Sequence, residues 1–287
     1  MKKAFLAAPL LLSLAALATA ETSLVDPDWT FKDDFEASED RSFWGSEAYT
    51  EYGVSCPGTS AGGNSLIFKY QPDKPDSDNS WAEKRFQLPL DAVQIEMTYD
   101  LFVPDNYVRS PKNHKNFVLW SGTYGKFNAN VSVSSESWPT DGGSSPSVYI
   151  GEDGNNYGHS LNRLRPHMYT NNQGKWQKVH VFLELATQQG DYGKFEISKD
   201  GAFINGTHHP DARTDSSVDL ANQINYASRG NFIDQGYLMG WVNGGFDTLT
   251  TFCIDNFEIN ATSSHGETTG GPNLSYAPVM NDVTVQY

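Results

Sequence analysis

Two basic side chains stand next to each other in segment 113–120, whose composition is typical of a β-strand. A lysine and a histidine can neutralise an anionic group and transfer protons, so this segment is a candidate for acid–base chemistry. Strand alternation places two sets of residues on opposite faces, Lys115, Phe117 and Leu119 on one and His114, Asn116, Val118 and Trp120 on the other. His114 and Lys115 therefore cannot both face the same groove unless a β-bulge lies between them.

Three arginines are further candidates for anion binding. Arg85 alternates with Lys84 in a predicted strand, where its guanidinium could hold a carboxylate or could instead form a surface salt bridge with Glu83 or Glu96. Arg163 and Arg165 lie in a segment rich in Gly, Asn and Tyr, a composition found in sugar-facing loops and also in ordinary loops of exported β-proteins. We interpret all three as candidate substrate-binding residues.

Several tryptophans could stack on sugar rings, namely Trp44, Trp81, Trp120, Trp138 and Trp241. Of these we select Trp120 and Trp138 as binding candidates.

The elements that must position these residues are predicted to be β-strands. Residues 174–185 and 193–201 alternate apolar and polar side chains across a short polar link, which indicates consecutive antiparallel strands. Segments 31–36 and 252–259 are predicted to pair as terminal strands. Amphipathic helical windows are absent, apart from weak helical potential at 218–226. The class is all-β, and the pattern favours a two-sheet antiparallel sandwich.

The first twenty residues carry two lysines, an apolar run and a final Ala-Thr-Ala, as a secretory signal peptide does. We expect cleavage after Ala20, one domain over residues 21–261, a flexible tail over 262–287, and a secreted or periplasmic location. The net charge of −15 becomes about −17 on cleavage and argues against nucleic acid and anionic membranes as partners.

Two cysteines, Cys56 and Cys253, are predicted to form a disulfide because the chain leaves the reducing cytoplasm. The alternative is two buried free thiols. The cysteines lack the spacing of a metal site, and no catalytic metal is expected. A structural calcium near Asp33, Asp34 and Asp255 is conceivable, since carboxylates on paired terminal strands could hold it.

Blocks in a particular order resemble secreted jelly-roll polysaccharide lyases, the concanavalin A-like group that includes glucuronan lyases and algal-virus alginate lyases. The blocks are 96–104, 113–120, 174–176 with the Asp200-Gly201 turn, and 237–241 through 252–257. They extend over most of the chain from Phe31 to Asn260. The resemblance implies a β-jelly-roll fold and cleavage of a uronate-containing polysaccharide by β-elimination.

The resemblance also implies roles for individual residues. It places Lys115 in the groove and makes Tyr149, on a neighbouring strand, the candidate acid or combined acid and base. His114 could act from the strand's entrance. The alternative for Tyr149 is a packing role with its hydroxyl at the rim. The implied partner is an anionic polysaccharide, and the protein is expected to be a monomer.

Three other functions are compatible with a sandwich. A non-catalytic, lectin-like protein needs only aromatic platforms and hydrogen-bond donors, which this chain has. A glycoside hydrolase needs two carboxylates facing one groove, and the spacing Glu-x-Asp-x-Glu does not occur in the sequence. A structural surface or coat role leaves little trace in a sequence and stays open.

Overall fold

The structure of the protein is a computed structural model that describes residues 21–36, 41–53, 56–57, 63–72, 79–109, 114–135, 146–152, 155–159, 168–185, 193–206 and 232–269. The described residues form strands and no helix. Accordingly, no membrane-spanning helix is found among them. Periodic alternation of apolar and polar residues is the reason, because it buries one side of each strand. The all-β class is confirmed.

Seventeen strands are described, in chain order β1 (Ser23–Leu24), β2 (Trp29–Asp33), β3 (Trp44–Ala48), β4 (Thr50–Gly53), β5 (Ser65–Tyr70), β6 (Asn79–Ala92), β7 (Gln94–Val103), β8 (His114–Thr123), β9 (Lys126–Ser135), β10 (Pro146–Glu152), β11 (Asn155–His159), β12 (Lys175–Glu184), β13 (Lys194–Lys199), β14 (Ala202–Gly206), β15 (Ile233–Asn243), β16 (Thr250–Thr262) and β17 (Thr268–Thr269). The weak helical segment at 218–226 lies outside the described residues.

The strands form two large antiparallel sheets. Sheet I has the order β11-β10-β9-β8-β15-β6-β3, and sheet II has the order β14-β13-β12-β7-β16-β5-β4, with β2 also paired to β16. Apolar side chains from both sheets meet in one core, which includes Phe68, Tyr99 and Phe252 from sheet II and Phe117 and Leu119 from sheet I. The architecture is the expected two-sheet jelly-roll sandwich.

The predicted pairing of the terminal strands is confirmed, since β2 runs antiparallel to β16 with Asp33 opposite Phe257. The predicted disulfide is also present. Cys56 and Cys253 are bonded with a Cα–Cα distance of 6.3 Å, and both are buried beside Ile67 and Phe102. It joins the N-terminal third of the chain to the last long strand.

The chain outside the two sheets bears on the domain prediction. Residues 1–20, which contain the predicted signal peptide, and residues 270–287 of the predicted tail lie outside the described residues. Within the part that is described, β17 in the predicted tail pairs with β1, so that Ser23 lies opposite Thr269. The domain boundaries stay a prediction.

Candidate functional site

On the side of sheet I that faces away from the core, side chains pack against one another in a separate cluster. Val118, Trp120 and Tyr237 pack together there, separate from the main core. Directly opposite residues of antiparallel strands share a face, so the pairing of strands builds rows of residues across the sheet. We call this surface the outer face of sheet I.

Two such rows run across the strands that carry the predicted site residues. One row joins the paired positions of Arg85, Tyr237, Val118, Ser132 and Tyr149. The second row begins where Trp81 lies opposite Trp241. The next residue of β15, Val242, lies opposite His114, so this row continues from Trp241 towards Lys115, which lies opposite Ser134. The fold therefore brings the positions of Arg85, Lys115 and Tyr149, which are far apart in sequence, into one neighbourhood. The side chain of Tyr149 lies outside the described structure.

Lys115 reaches the outer face because of a β-bulge. The pairing of β8 with β9 shifts register between Lys115 and Phe117. Asn116 and Phe117 then both face the core, where Asn116 bonds Tyr99 and Phe117 packs with the apolar residues. Strict alternation would have put Lys115 on the face of Phe117, and the extra residue removes that conflict.

The environment of Lys115 alters its protonation. Burial lowers the pKa of its amine, and the carboxylate of Glu83 partly offsets that decrease. Among the described residues, no side chain forms a hydrogen bond or ion pair with its Nζ. A half-buried lysine of lowered pKa is suited to proton transfer.

Arg85 is held in a cage of aromatic rings. Its guanidinium carbon lies 4.6 Å from the ring centre of Tyr124, 5.9 Å from that of Trp120 and 6.0 Å from that of Tyr237. Its Nε donates a hydrogen bond of 2.6 Å to Glu83, whereas Glu96 is bonded to His180 instead. In the described part of the chain, the Nη atoms have no acceptor. They are therefore available to a planar anion such as a carboxylate.

Glu83 organises this face and was not among the predicted site residues. It is 2% exposed and accepts hydrogen bonds from Trp81 Nε1 at 2.8 Å and Arg85 Nε at 2.6 Å. The alternating pattern Trp81-x-Glu83-x-Arg85 could have revealed it, since three residues at a spacing of two share one face of a strand. The salt bridge between Arg85 and Glu83, which was the alternative to carboxylate binding, is therefore present, and it lies within the candidate site.

Two indoles form a stacked pair beside the basic residues. The rings of Trp81 and Trp241 lie 5.1 Å apart with an interplanar angle of 4°, and both side chains are partly exposed. Tyr49 approaches Trp81 edge-on at 6.3 Å. Such rings can stack on the C–H surface of a sugar. Neither tryptophan was selected from the sequence.

The structure buries two of the predicted site residues, His114 and Trp120. His114 is 0% exposed and lies in the core, with its ring 4.6 Å from that of Tyr169 and 5.1 Å from that of Phe252. Burial lowers the pKa of His114 to about 3, so its ring is neutral. Trp120 is 2% exposed and packs under the Arg85 guanidinium. Both placements are those of supporting residues.

The remaining predicted binding residues, Trp138, Arg163 and Arg165, lie outside the described residues. A separate open cavity of about 840 Å³ is lined by residues that include Trp29, Phe43 and Leu88. The described residues of its lining include no titratable side chain, so we do not place the chemistry there.

The acidic residues suggested for calcium have partners or neighbours within the fold. Asp33 accepts hydrogen bonds from Trp44 Nε1 at 2.7 Å and from the amide of Phe35 at 2.8 Å. Burial raises the pKa of Asp255 to about 6, and the nearby carboxylates of Asp100, Glu36 and Asp34 add to that increase. Among the described residues, no group of three or more His, Cys, Asp or Glu side chains is arranged for a metal ion. A structural calcium stays a prediction.

Comparisons with known proteins identify the fold. No family model and no curated protein matches the chain. Among solved structures, the chain is similar to the PL-14 alginate lyase of Aplysia kurodai, with 13% identity and a TM-score of 0.53 over 83% of this chain and 100% of that one. It is also similar to an alginate lyase from a Chlorella virus, with 14% identity and a TM-score of 0.51 over 76% of this chain and 92% of that one. The resemblance to jelly-roll polysaccharide lyases is confirmed at the level of the fold.

Proposed function

We propose that this protein is a secreted polysaccharide lyase that cleaves a uronate-containing polysaccharide by β-elimination. The observation that carries the proposal is the presence of two basic side chains, Arg85 and Lys115, on one sheet face with donor atoms that no described residue uses. Two cations on a sheet face suit a polymer with carboxylates. The Cys56–Cys253 disulfide supports export, because such bonds persist in oxidising compartments.

The reaction requires three tasks, which we assign to separate groups. Arg85 binds the uronate carboxylate through its Nη atoms and so stabilises the negative charge that develops when the neighbouring proton leaves. A base takes that proton, the electron pair forms a carbon–carbon double bond, and the glycosidic carbon–oxygen bond breaks. An acid then protonates the departing oxygen.

Lys115 and Tyr149 are our candidates for the proton transfers. The lowered pKa of Lys115 increases the fraction of neutral amine that can accept a proton at a given pH. Tyr149 is paired in the same cross-strand row as Arg85, four strands away, where a phenol could serve as the acid or as acid and base in turn. The Trp81–Trp241 pair would bind a sugar ring of the same chain.

The test is the ultraviolet absorbance of the unsaturated product, measured with alginate, glucuronan, pectate and glycosaminoglycans. We expect a rise on one of these polymers that Lys115→Ala abolishes and that Arg85→Ala weakens by raising KM and lowering kcat. Lys32→Ala is the matched control, because Lys32 is largely exposed on β2 of sheet II and pairs with Glu258. Equal loss in all three variants, or a rise that Lys115→Ala leaves unchanged, would contradict these roles.

A non-catalytic carbohydrate-binding protein is the second candidate. The stacked Trp81–Trp241 pair and the free Nη atoms of Arg85 would suffice for binding without any proton transfer. This function predicts no absorbance change on any polymer, together with retardation on a polysaccharide gel that Trp241→Ala reduces. Under either function we expect a monomer that binds an anionic polysaccharide.

A further inference from the structure

Two neighbouring strands of sheet I each carry two consecutive residues that face the core. On β8 these are Asn116 and Phe117. On β15 they are Leu238 and Met239, both within the core cluster. The register of β8 shifts against β9 between Lys115 and Phe117, and that of β15 shifts against β8 between Leu238 and Val242. The two irregularities are therefore side by side, directly behind the outer face that carries Lys115.

A buried amide holds the first irregularity from the core side. Asn116 is 0% exposed, accepts a hydrogen bond of 2.6 Å from the Tyr99 hydroxyl and donates one of 3.0 Å to the Tyr169 hydroxyl. The Tyr169 hydroxyl in turn lies 3.4 Å from the backbone carbonyl of Lys115, to which it donates. Tyr99 belongs to β7 of sheet II, so the bulge on sheet I is tied to the opposite sheet.

A buried hydroxyl holds the second irregularity. Tyr70, on β5 of sheet II, accepts a hydrogen bond of 3.2 Å from the amide of Gly240 and donates one of 3.2 Å to the carbonyl of Ala82. Its oxygen also lies 3.3 Å from Nε2 of His114. The backbone it supports is unusual, since Met239 has a φ of 61° and Gly240 a φ of 125°. Residues in such regions persist only where their surroundings enforce them.

We propose that Asn116 is a positioning residue that fixes the β8 bulge and thereby holds Lys115 on the outer face of sheet I. Tyr70 fixes the adjoining irregularity on β15 in the same way. The inference rests on the proposed function in so far as it concerns the reaction. It goes beyond that function because the positioning groups lie in the core and touch no substrate. Without the bulge, strand alternation would return Lys115 to the side of Phe117.

Ordinary core residues and positioning residues differ in what their loss changes. Loss of a purely structural hydrogen bond lowers stability and leaves the folded site intact. Loss of a positioning contact displaces the reacting group, and a displacement of about 1 Å can cost about 100-fold in rate. The experiment must therefore report the surroundings of Lys115 directly, and independently of whether the protein is a lyase.

The test uses reductive methylation with ¹³C-formaldehyde, which labels lysine amines so that NMR can follow the titration of each. The Lys115 resonance is assigned as the one absent from Lys115→Arg. In the wild type we expect it to titrate below the usual range of a lysine amine, because burial lowers its pKa. In Asn116→Leu we expect a changed chemical shift and a changed titration midpoint for Lys115, with Lys32 unaffected.

Kinetics on the polymer that the wild type cleaves give the second measurement. We expect kcat to fall about 100-fold in Asn116→Leu with KM changed by less than about 3-fold. If Asn116→Leu does not fold, Tyr169→Phe replaces it, because this change removes only the hydroxyl that joins Asn116 to the Lys115 carbonyl. Thr262→Val is the matched control, since it removes a buried hydroxyl that bonds Gln94 on sheet II and touches neither Asn116 nor β8.

The outcomes separate the two ideas. A wild type inactive on every polymer overturns the lyase, whereas the NMR measurement still tests the positioning role. A lower melting temperature with unchanged Lys115 resonance and unchanged kcat overturns the positioning role alone. Equal effects of Tyr169→Phe and Thr262→Val on the Lys115 resonance would also contradict it.

Discussion

Removal of the disulfide should have a large effect on stability, because the bond spans most of the domain. Cys56 and Cys253 are 197 residues apart in sequence. In the chain-entropy account, closing a loop of this length removes conformational entropy from the unfolded state and so raises its free energy by about 5 kcal/mol at 25 °C. Native disulfides of exported domains commonly contribute about 2–5 kcal/mol, so we expect Cys56→Ala/Cys253→Ala to lower the free energy of unfolding by an amount in that range.

Urea unfolding followed by tryptophan fluorescence provides the assay. Trp176 packs against the buried cluster that contains both cysteines and donates a hydrogen bond of 3.0 Å to the carbonyl of Pro57, so its emission should report the region. The control is reductant, which should destabilise the wild type as much as the double substitution does and should leave the double variant unchanged. A loss below about 1 kcal/mol, or a reductant effect on the double variant, would refute the reasoning.

Three further predictions concern single residues. His114→Phe should remove a pH dependence of the free energy of unfolding. The folded wild-type ring stays neutral down to a pKa of about 3, whereas the unfolded ring titrates near 6.5. Wild-type stability should therefore fall by up to about 1.4 kcal/mol per pH unit as the pH decreases between these values. Urea unfolding at pH 7, 5 and 4 checks it, and parallel pH curves for the two proteins would contradict it. Gly240→Ala should lower the free energy of unfolding by about 1–3 kcal/mol, because the φ of Gly240 is 125° and a Cβ would lie 2.6 Å from the Tyr237 ring. Thermal unfolding measures this loss. The control is Gly201→Ala, which should lose less stability because its Cβ would meet no atom within 4 Å. Glu83→Gln should lower the free energy of unfolding by about 2 kcal/mol and weaken polymer binding, because an uncharged amide has one acceptor oxygen for the two donors, Trp81 and Arg85. Unchanged chemical denaturation together with unchanged gel retardation would show that Glu83 does not organise Arg85.

Much of the fold was predictable because its signals are local. Alternation of apolar and polar residues identified the strands now seen as β12 and β13. The pairing of β2 with β16 followed from two similar segments near the ends of the sheet-forming region. The disulfide followed from the expected compartment, and the structure contains it.

The site was less predictable, because its key residues depend on contacts between distant segments. Arg85 and Lys115 were selected from their types, but nothing in segment 113–120 showed which face Lys115 takes. Glu83 was regarded only as a surface partner of Arg85, although it is buried and binds Trp81 as well. His114 was expected near the groove, and the structure encloses it among aromatic rings.

The sequence by itself determined the all-β class, the strand segments, the paired cysteines and the basic and aromatic residue types available for binding. These depend on a period of two residues and on side-chain chemistry, both of which act within one segment. Only the tertiary structure decided that Lys115 joins Arg85 on the outer face of sheet I. The physical reason is the bulge at Asn116, which is held by hydroxyl groups of Tyr99 and Tyr169 from other parts of the chain. One extra residue reverses the side on which every later residue of a strand lies, and contacts with distant residues determine where it is inserted.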